Sequence, residues 1–185
     1  MDTDQAVALI TSAVPKGPST WADIGAGDGT FSRALAQLLG PKSRIYAIDR
    51  DRRAVAALER WARKAPVEVI PLNADFARPF ELPGINEPAL DGILLANSLH
   101  FVPDAGAVLA RLVEWVRPGG RVVLVEYDRR AASRWVPYPI PAASLDALAA
   151  SAGLSPPAVV ATRPSSFGGM LYAAAADKPR AQARG

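Results

Sequence analysis

The chain has 185 residues, half of them hydrophobic, which is enough to fill one sizeable core and predicts a single domain. The absence of cysteine and the presence of only one histidine exclude disulfides, thiolate metal sites and most histidine-rich metal cages, so we predict no metal centre. The formal net charge is +3, and the basic excess is C-terminal, with seven Lys or Arg against three Asp or Glu in residues 128–185.

Residues 1–18 predict a short N-terminal helical segment. Apolar side chains recur at helical spacing within residues 3–14, and the Pro-Lys-Gly-Pro sequence of residues 15–18 ends the helix. The first five residues are acidic rather than basic and the following apolar run is brief, so neither a signal peptide nor a membrane span is indicated. We therefore expect a soluble, cytoplasmic protein without a membrane partner.

Strand and helix patterns alternate from residue 19 onward. The predicted strands cover residues 19–24, 44–48, 67–71, 90–96, 121–127, 158–162 and 170–175, and the predicted helices cover residues 31–39, 52–64, 105–116 and 143–152. Such alternation implies parallel strands joined by right-handed helical crossovers, with helices on both faces. We predict an α/β domain over residues 19–176, with a doubly wound sheet in three layers, followed by a disordered tail over residues 177–185.

The turn after the first strand is rich in glycine. Residues 23–29 read Asp-Ile-Gly-Ala-Gly-Asp-Gly, and glycine permits both unusual backbone angles and close contact of a ligand with the main chain. A dinucleotide fold instead uses Gly-x-Gly-x-x-Gly to place pyrophosphate at a helix N-terminus. The acid at position 23 would repel pyrophosphate but welcome an ammonium group, which favours a methionine-bearing nucleoside over NAD.

Polar residues follow the other strands of the predicted sheet. Asp49 ends the second strand, where a carboxylate can accept hydrogen bonds from both ribose hydroxyls; the alternative is that it caps the helix beginning at Arg52. Asp75, the stretch 97–100 and the stretch 126–128 occupy equivalent places after later strands. Because ligands bind beyond the carboxyl ends of parallel strands, we expect these residues to converge on one cleft.

Five segments together resemble the class I S-adenosylmethionine-dependent methyltransferases: residues 23–29, 45–49, 73–76, 91–97 and 117–121. The resemblance implies that S-adenosylmethionine is the cofactor and that the last two strands form an antiparallel hairpin, with the seventh strand inserted beside the fifth. It also implies that residues 117–120 form a structural turn. The implied cofactor-binding residues are Asp23, Gly25, Gly27, Gly29, Asp49, Arg50, Asp75, Phe76 and Asn97.

The resemblance assigns a part of the cofactor to most of these residues. Gly25 and Gly27 would lie against the methionine portion and Asp23 near its amino group. Asp49 would hold the ribose and Arg50 would pack on the adenine. In the same way, Asp75 would accept a hydrogen bond from the adenine amino group and Phe76 would flank the ring.

Methyl transfer from a sulfonium is an in-line displacement that depends mainly on alignment and exclusion of water. His100 is the candidate catalytic base for an acceptor that must lose a proton, because its ordinary pKa suits proton transfer near neutrality. Alternatively, it lines the cleft or caps the helix after Pro103. The rival bases or substrate contacts are Glu126, Tyr127 and Asp128.

The expected acceptor is a small molecule approaching over residues 97–104 and 127–141, where Trp135, Tyr138 and several prolines form a partly apolar rim. A peptide side chain remains an alternative. The fourth strand ends in Asn-Ser-Leu-His rather than the Asn/Asp-Pro-Pro-Tyr/Phe pattern of enzymes that methylate base nitrogens, and no cysteine can attack cytosine. The arginines at 129, 130 and 134 are typical of a solvated face, so nucleic-acid binding is not predicted.

Two other functions stay open. A catalytically inactive S-adenosylmethionine-binding module or partner subunit would fit the short N-terminal segment, which leaves the methyl group open to water unless a partner or a homodimer covers it. An NAD-dependent oxidoreductase would use the same fold, but the glycine spacing disfavours it.

Overall fold

The computed structural model describes residues 1–180, in which one sheet is flanked by helices on both faces. The strands are β1 (Thr20–Ile24), β2 (Arg44–Asp49), β3 (Glu68–Asn73), β4 (Leu90–Ala96), β5 (Val116–Asp128), β6 (Ala158–Pro164) and β7 (Met170–Asp177). The helices are α1 (Thr3–Ile10), α2 (Thr30–Leu39), α3 (Arg52–Ala62), α4 (Ala105–Val113) and α5 (Leu145–Ser151), with a short 3-10 turn at Leu99–Phe101.

The strand order is β3-β2-β1-β4-β5-β7-β6. The first five strands pair in parallel, whereas β7 is antiparallel to both β5 and β6. This confirms the predicted mostly parallel sheet and the insertion of the seventh strand beside the fifth. The chain winds outward from β1 in one direction and from β4 in the other, so the carboxyl ends of these two strands border the crevice where such folds bind ligands.

Successive residues of the central strands face opposite layers. In β4, Ile93 and Leu95 pack with α4 and α5, whereas Leu94 packs with α1 and α2. Both faces of the strand are therefore buried, as its nearly continuous apolar sequence predicts. Gly92 is required in this strand because a Cβ there would lie 2.6 Å from the ring of Trp21 on the neighbouring β1.

Two proposed helix caps are wrong. The helix α3 is capped by Asp51, whose carboxylate accepts a hydrogen bond from the Arg53 N–H at 2.8 Å, so Asp49 does not serve as the N-cap. The helix α4 is capped by Asp104, which accepts from the Ala107 N–H at 2.9 Å, so His100 does not cap it either. These corrections leave the side chains of Asp49 and His100 to other roles.

The boundary between α4 and β5 also differs from the expectation. The helix ends at Val113, and Val116 already pairs with Leu90 as the first residue of β5. Residues 117–120, predicted as a turn that leads into the strand, lie within it. The apolar periodicity continues past the helix end because Val116 is buried against the sheet rather than against the next helical turn.

The predicted tail over residues 177–185 begins too early. Asp177 ends β7, and its carboxylate pairs with Arg121 at 2.6 Å. The Lys178 ammonium donates to the main-chain oxygens of Val113 and Val116, at 3.0 and 2.8 Å. Composition alone did not indicate these tertiary partners, and residues 181–185 of the predicted tail lie outside the described residues. Within residues 1–180, no helix combines the length and the apolarity needed to cross a membrane.

Candidate functional site

A cleft crosses the carboxyl ends of the parallel strands and contains three adjoining cavities, all of which Asn97 lines. The Asp49 cavity, of about 340 Å³, is bordered by Asp49, Arg50, Asp75 and Phe76. The Thr30 cavity, of about 420 Å³, lies between the glycine turn and residues 163–167. The Trp135 cavity, of about 530 Å³, is lined by Asn97, His100, Phe101, Tyr127, Arg130, Trp135, Val136 and Phe167.

The glycine turn forms the wall shared by the Asp49 and Thr30 cavities. Gly25 and Gly27 adopt φ angles of +77° and +55°, which side chains resist. A Cβ on Gly25 would lie 2.5 Å from Ser98 Cβ, whereas a Cβ on Gly27 would meet no atom within 4 Å. Gly25 is thus needed for packing against the end of β4, and Gly27 leaves its main chain open to a ligand.

Asp23 and Gly29 lie away from the cavities and stabilise the glycine turn by packing and hydrogen bonding. Neither residue lines one of the three cavities. A Cβ on Gly29 would lie 2.6 Å from Leu58 Cδ2, so this glycine fits the start of α2 against α3. The buried Asp23 carboxylate accepts a hydrogen bond from Ser32 Oγ at 2.6 Å. A direct contact of Asp23 or Gly29 with a cofactor stays a prediction.

Burial is the main influence on the Asp23 carboxyl. It raises the pKa of Asp23 from 3.8 to about 7, although the Ser32 hydrogen bond acts in the opposite direction. The charge of Asp49 raises this pKa further. The carboxylates of Asp23 and Asp49 are therefore electrostatically coupled.

The Asp49 side chain is held in place by two main-chain donors. Its Oδ2 accepts a hydrogen bond from the Gly27 N–H and its Oδ1 accepts one from the Asp51 N–H, both at 2.8 Å. Each carboxylate oxygen can accept a further hydrogen bond, so this anchored group can still receive the hydroxyls of a ligand. Asn73, for which no separate role was predicted, donates hydrogen bonds to the carbonyls of Asp49 and Arg50 at 3.0 Å.

The opposite wall of the Asp49 cavity carries Asp75 and Phe76. Asp75 Oδ1 accepts a hydrogen bond from the Ala77 N–H at 3.0 Å, which fixes the turn after β3. The guanidinium of Arg111, on α4, donates to the Phe76 carbonyl. Sequence reasoning missed Arg111 because it is one basic residue of a helix pattern, and nothing local shows that it reaches the cavity wall.

Asn97 combines backbone strain with an unsatisfied polar atom. Its φ is +53°, uncommon for a residue other than glycine, and its Oδ1 is buried without a hydrogen-bond partner among the described residues. Buried polar atoms are normally paired, so an unpaired oxygen on a residue that lines three cavities indicates a place for a donor from a ligand.

His100 and Glu126 form a buried pair beside the Trp135 cavity. The His100 Nδ1 lies 2.5 Å from Glu126 Oε2, and Glu126 Oε1 accepts hydrogen bonds from the Leu99 and His100 N–H groups. Because a carboxylate favours the tautomer with the proton on Nδ1, the Nε2 lone pair is left for a ligand. Glu126 is wholly buried and lines none of the cavities.

The two other rival bases are placed differently from Glu126. Tyr127 lines both the Thr30 and the Trp135 cavities. The Asp128 carboxylate accepts a hydrogen bond from the Ala142 N–H at 3.1 Å and lies outside the cavity walls.

A family model described as "Methyltransferase domain" matches residues 22–122, more than half of the chain. The chain belongs to this family. The matched segment includes the glycine turn, Asp49, Asp75, Asn97 and His100. It ends before Glu126 and before most of the Trp135 cavity.

Curated relatives agree with this placement. A demethylmenaquinone methyltransferase of Bacillus licheniformis is 32% identical over 114 residues, which cover 61% of this chain and 46% of the relative. The biotin biosynthesis bifunctional protein BioCD of Bordetella avium is 33% identical over 116 residues, 61% of this chain and 23% of the relative. The chain thus spans less than half the length of these relatives.

Among solved structures, a Burkholderia thailandensis 1,6-didemethyltoxoflavin-N1-methyltransferase aligns with a TM-score of 0.73 at 22% identity, covering 96% of this chain and 78% of that one. That structure contains S-adenosylhomocysteine and 1,6-didemethyltoxoflavin. The resemblance to methyltransferases is confirmed at the level of the family. The solved structure, at 22% identity, supports the same fold, and S-adenosylmethionine as the cofactor of this chain stays a prediction.

Proposed function

We propose that this chain transfers the methyl group of S-adenosylmethionine to a small molecule bound in the Trp135 cavity. The observation that carries the proposal is the junction at Asn97, where two cavities built by the glycine turn and the strand ends meet a third cavity lined by a buried histidine. A donor and an acceptor bound on either side of this junction would be neighbours.

The residues of the first two cavities suit the chemical groups of the cofactor. The anchored Asp49 carboxylate can hold the ribose, and Arg50, Asp75 and Phe76 provide a stacking and hydrogen-bonding wall for the adenine. The open main chain at Gly27 can accommodate the methionine portion. The unpaired Asn97 Oδ1 can accept a hydrogen bond from its ammonium group.

When bound, S-adenosylmethionine supplies a methyl group that is already activated on a sulfonium centre. The task of the chain is then to align the acceptor, exclude water and remove a proton where the acceptor carries one. His100 Nε2 would take that proton from a hydroxyl or N–H group. Glu126 would keep the ring oriented and favour the protonated imidazole that results, as a buried carboxylate does for a catalytic histidine.

A small-molecule acceptor is supported by the relatives and by the cavity itself. One relative is a demethylmenaquinone methyltransferase, and one structural neighbour contains 1,6-didemethyltoxoflavin. A volume of about 530 Å³ lies within the range of small-molecule sites. We also predict that a homodimer covers the open side of the cleft. Analytical ultracentrifugation, which measures the oligomeric state, would test this prediction.

Calorimetry with S-adenosylmethionine, S-adenosylhomocysteine and NAD tests the cofactor. We expect the first two to bind and NAD not to bind; binding of NAD alone would overturn the proposal. Transfer of a labelled methyl group to a panel of small acceptors tests the reaction. Cofactor binding without transfer to any acceptor would instead favour the inactive binding module.

A further inference from the structure

The Trp135 cavity has an unusual wall for a surface site. Phe101, Trp135 and Phe167 are 44%, 69% and 76% exposed, respectively, and all three border it together with Tyr127. Clustered exposed aromatic side chains mark binding sites more often than isolated ones do. Flat rings favour contacts with other flat rings, so this wall selects for a planar aromatic molecule.

The residues that line the Trp135 cavity include one positively charged side chain, Arg130, and no Asp or Glu. The guanidinium carbon lies 4.3 Å from the centroid of the Tyr127 ring, and one nitrogen donates to the Gly168 carbonyl at 3.4 Å. Within residues 1–180, no carboxylate lies in ion-pair distance of Arg130. The guanidinium therefore has donors left for an anion.

Arg130 and His100 are close enough to contact the same small ligand. Both flank Tyr127, whose ring centroid lies 6.2 Å from that of His100. A molecule of one or two fused rings lying along Tyr127 would present one edge to each of them.

Resting on the proposed methyl transfer, we propose that the acceptor is a planar aromatic acid. Its carboxylate, or a comparable anionic group, binds Arg130, and its reacting hydroxyl or ring N–H faces His100 Nε2. In the reaction, the acceptor atom forms a bond to the methyl carbon as the carbon–sulfur bond breaks, with that electron pair remaining on sulfur. The acceptor proton moves to Nε2.

The test compares two probes with the same ring system. 3-Hydroxy-2-naphthoate carries both a hydroxyl and a carboxylate, whereas 2-naphthol lacks the carboxylate. Their affinities for the full chain are measured by calorimetry, with S-adenosylhomocysteine bound and again without it. We expect the naphthoate to bind about tenfold or more tightly than the naphthol, since a charge-assisted hydrogen bond is lost with the carboxylate.

Three arginine variants locate the source of this difference. Arg130→Gln should weaken naphthoate binding about tenfold and leave naphthol binding unchanged, and Arg130→Lys should fall between the two because it keeps the charge but loses the planar fork. The matched control is Arg129→Gln, because Arg129 is 93% exposed and lies outside the cavity. Thermal unfolding of each variant monitors the fold.

Equal affinities for the two probes would overturn the inference, as would no detectable binding of either or an Arg130→Gln variant that binds like the parent. These outcomes are distinct from failure of the proposed function. If S-adenosylmethionine binds and the naphthoate does not, only the acceptor class is wrong. If the naphthoate binds and S-adenosylmethionine does not, methyl transfer is wrong and the anion site stands.

Discussion

The two halves of the cleft are built in different ways. The half around Asp49 and the glycine turn consists of main-chain turns and carboxylates anchored by main-chain donors, and it lies within the segment that the family model matches. In the half around Trp135, by contrast, five of the eight lining residues lie beyond that segment, namely Tyr127, Arg130, Trp135, Val136 and Phe167. The comparison indicates that the proposed donor site is held by main-chain geometry, whereas the proposed acceptor site depends on the side chains of separate loops.

The largest expected effect is on turnover, from variants in the half of the cleft around Trp135. His100→Gln should lower turnover by about 10²–10⁴-fold if His100 is the base, without changing affinity for S-adenosylmethionine. Glu126→Gln should give a smaller loss and a shifted pH profile, because it keeps the shape of the side chain but not its charge. His100 is the only histidine in the chain, so its ring can be followed directly by NMR. Unchanged turnover and pH profiles in both variants would remove the pair from the mechanism.

The next effect concerns the half of the cleft around Asp49 and the glycine turn, where Asp23 should make the free energy of unfolding depend on pH. Because the pKa of Asp23 is about 7 in the folded chain, against 3.8 for an ordinary aspartate in water, the folded state holds a proton that the unfolded state loses between about pH 4 and pH 7. The contribution of Asp23 to stability should therefore fall across this window, by about 4 kcal/mol in total, and stay level above it.

Asp23→Asn should remove that dependence. The measurement is denaturant unfolding of both proteins from pH 4 to pH 8, plotted as the difference in free energy of unfolding. A difference that does not decline with rising pH would show that Asp23 ionises normally in the fold. That result would also argue against an electrostatic interaction between the Asp23 and Asp49 carboxylates.

The glycine turn should tolerate a side chain poorly. At Gly25, Ala would combine a φ of +77° with a Cβ 2.5 Å from Ser98 Cβ, and we expect a loss of about 2–4 kcal/mol in the free energy of unfolding. Gly84→Ala is the matched control, because Gly84 has a φ of +76° and no atom within 4 Å of its Cβ position. It should cost about 1–2 kcal/mol. Equal costs at the two positions would show that contact with Ser98 is unimportant.

The smallest expected effects come from alanine variants of two neighbouring aspartates, one of which should change cofactor affinity and the other stability. Asp49→Ala should weaken binding of S-adenosylmethionine by about 1.5–3 kcal/mol, the value of hydrogen bonds to a charged group. Asp51→Ala removes the cap of α3 and should lower stability by about 1 kcal/mol while leaving cofactor affinity unchanged. Calorimetry and denaturant unfolding separate the two, and an Asp49→Ala variant with normal affinity would contradict the ribose assignment.

Much of the fold could be predicted because its signals are local. The apolar run of β4 requires a strand buried on both faces, and the breakers at residues 15–18 and 40–41 separate helices from strands. Helix caps were harder to assign. Asp49 and Asp51 are equally good caps by residue type, and only the hydrogen bonds show that Asp51 caps α3 while Asp49 binds the Gly27 N–H.

The sequence by itself determined the parallel sheet, the glycine turn and the carboxylates at the strand ends, which together form the proposed donor side. These features are encoded by residues close together in the chain, whose backbone angles and spacing depend little on what packs around them. Only the tertiary structure decided that Glu126 pairs with His100 and that Phe101, Arg130 and Phe167 border one cavity. Those arrangements join segments far apart in the chain, and burial and pairing at such distances depend on how the layers pack.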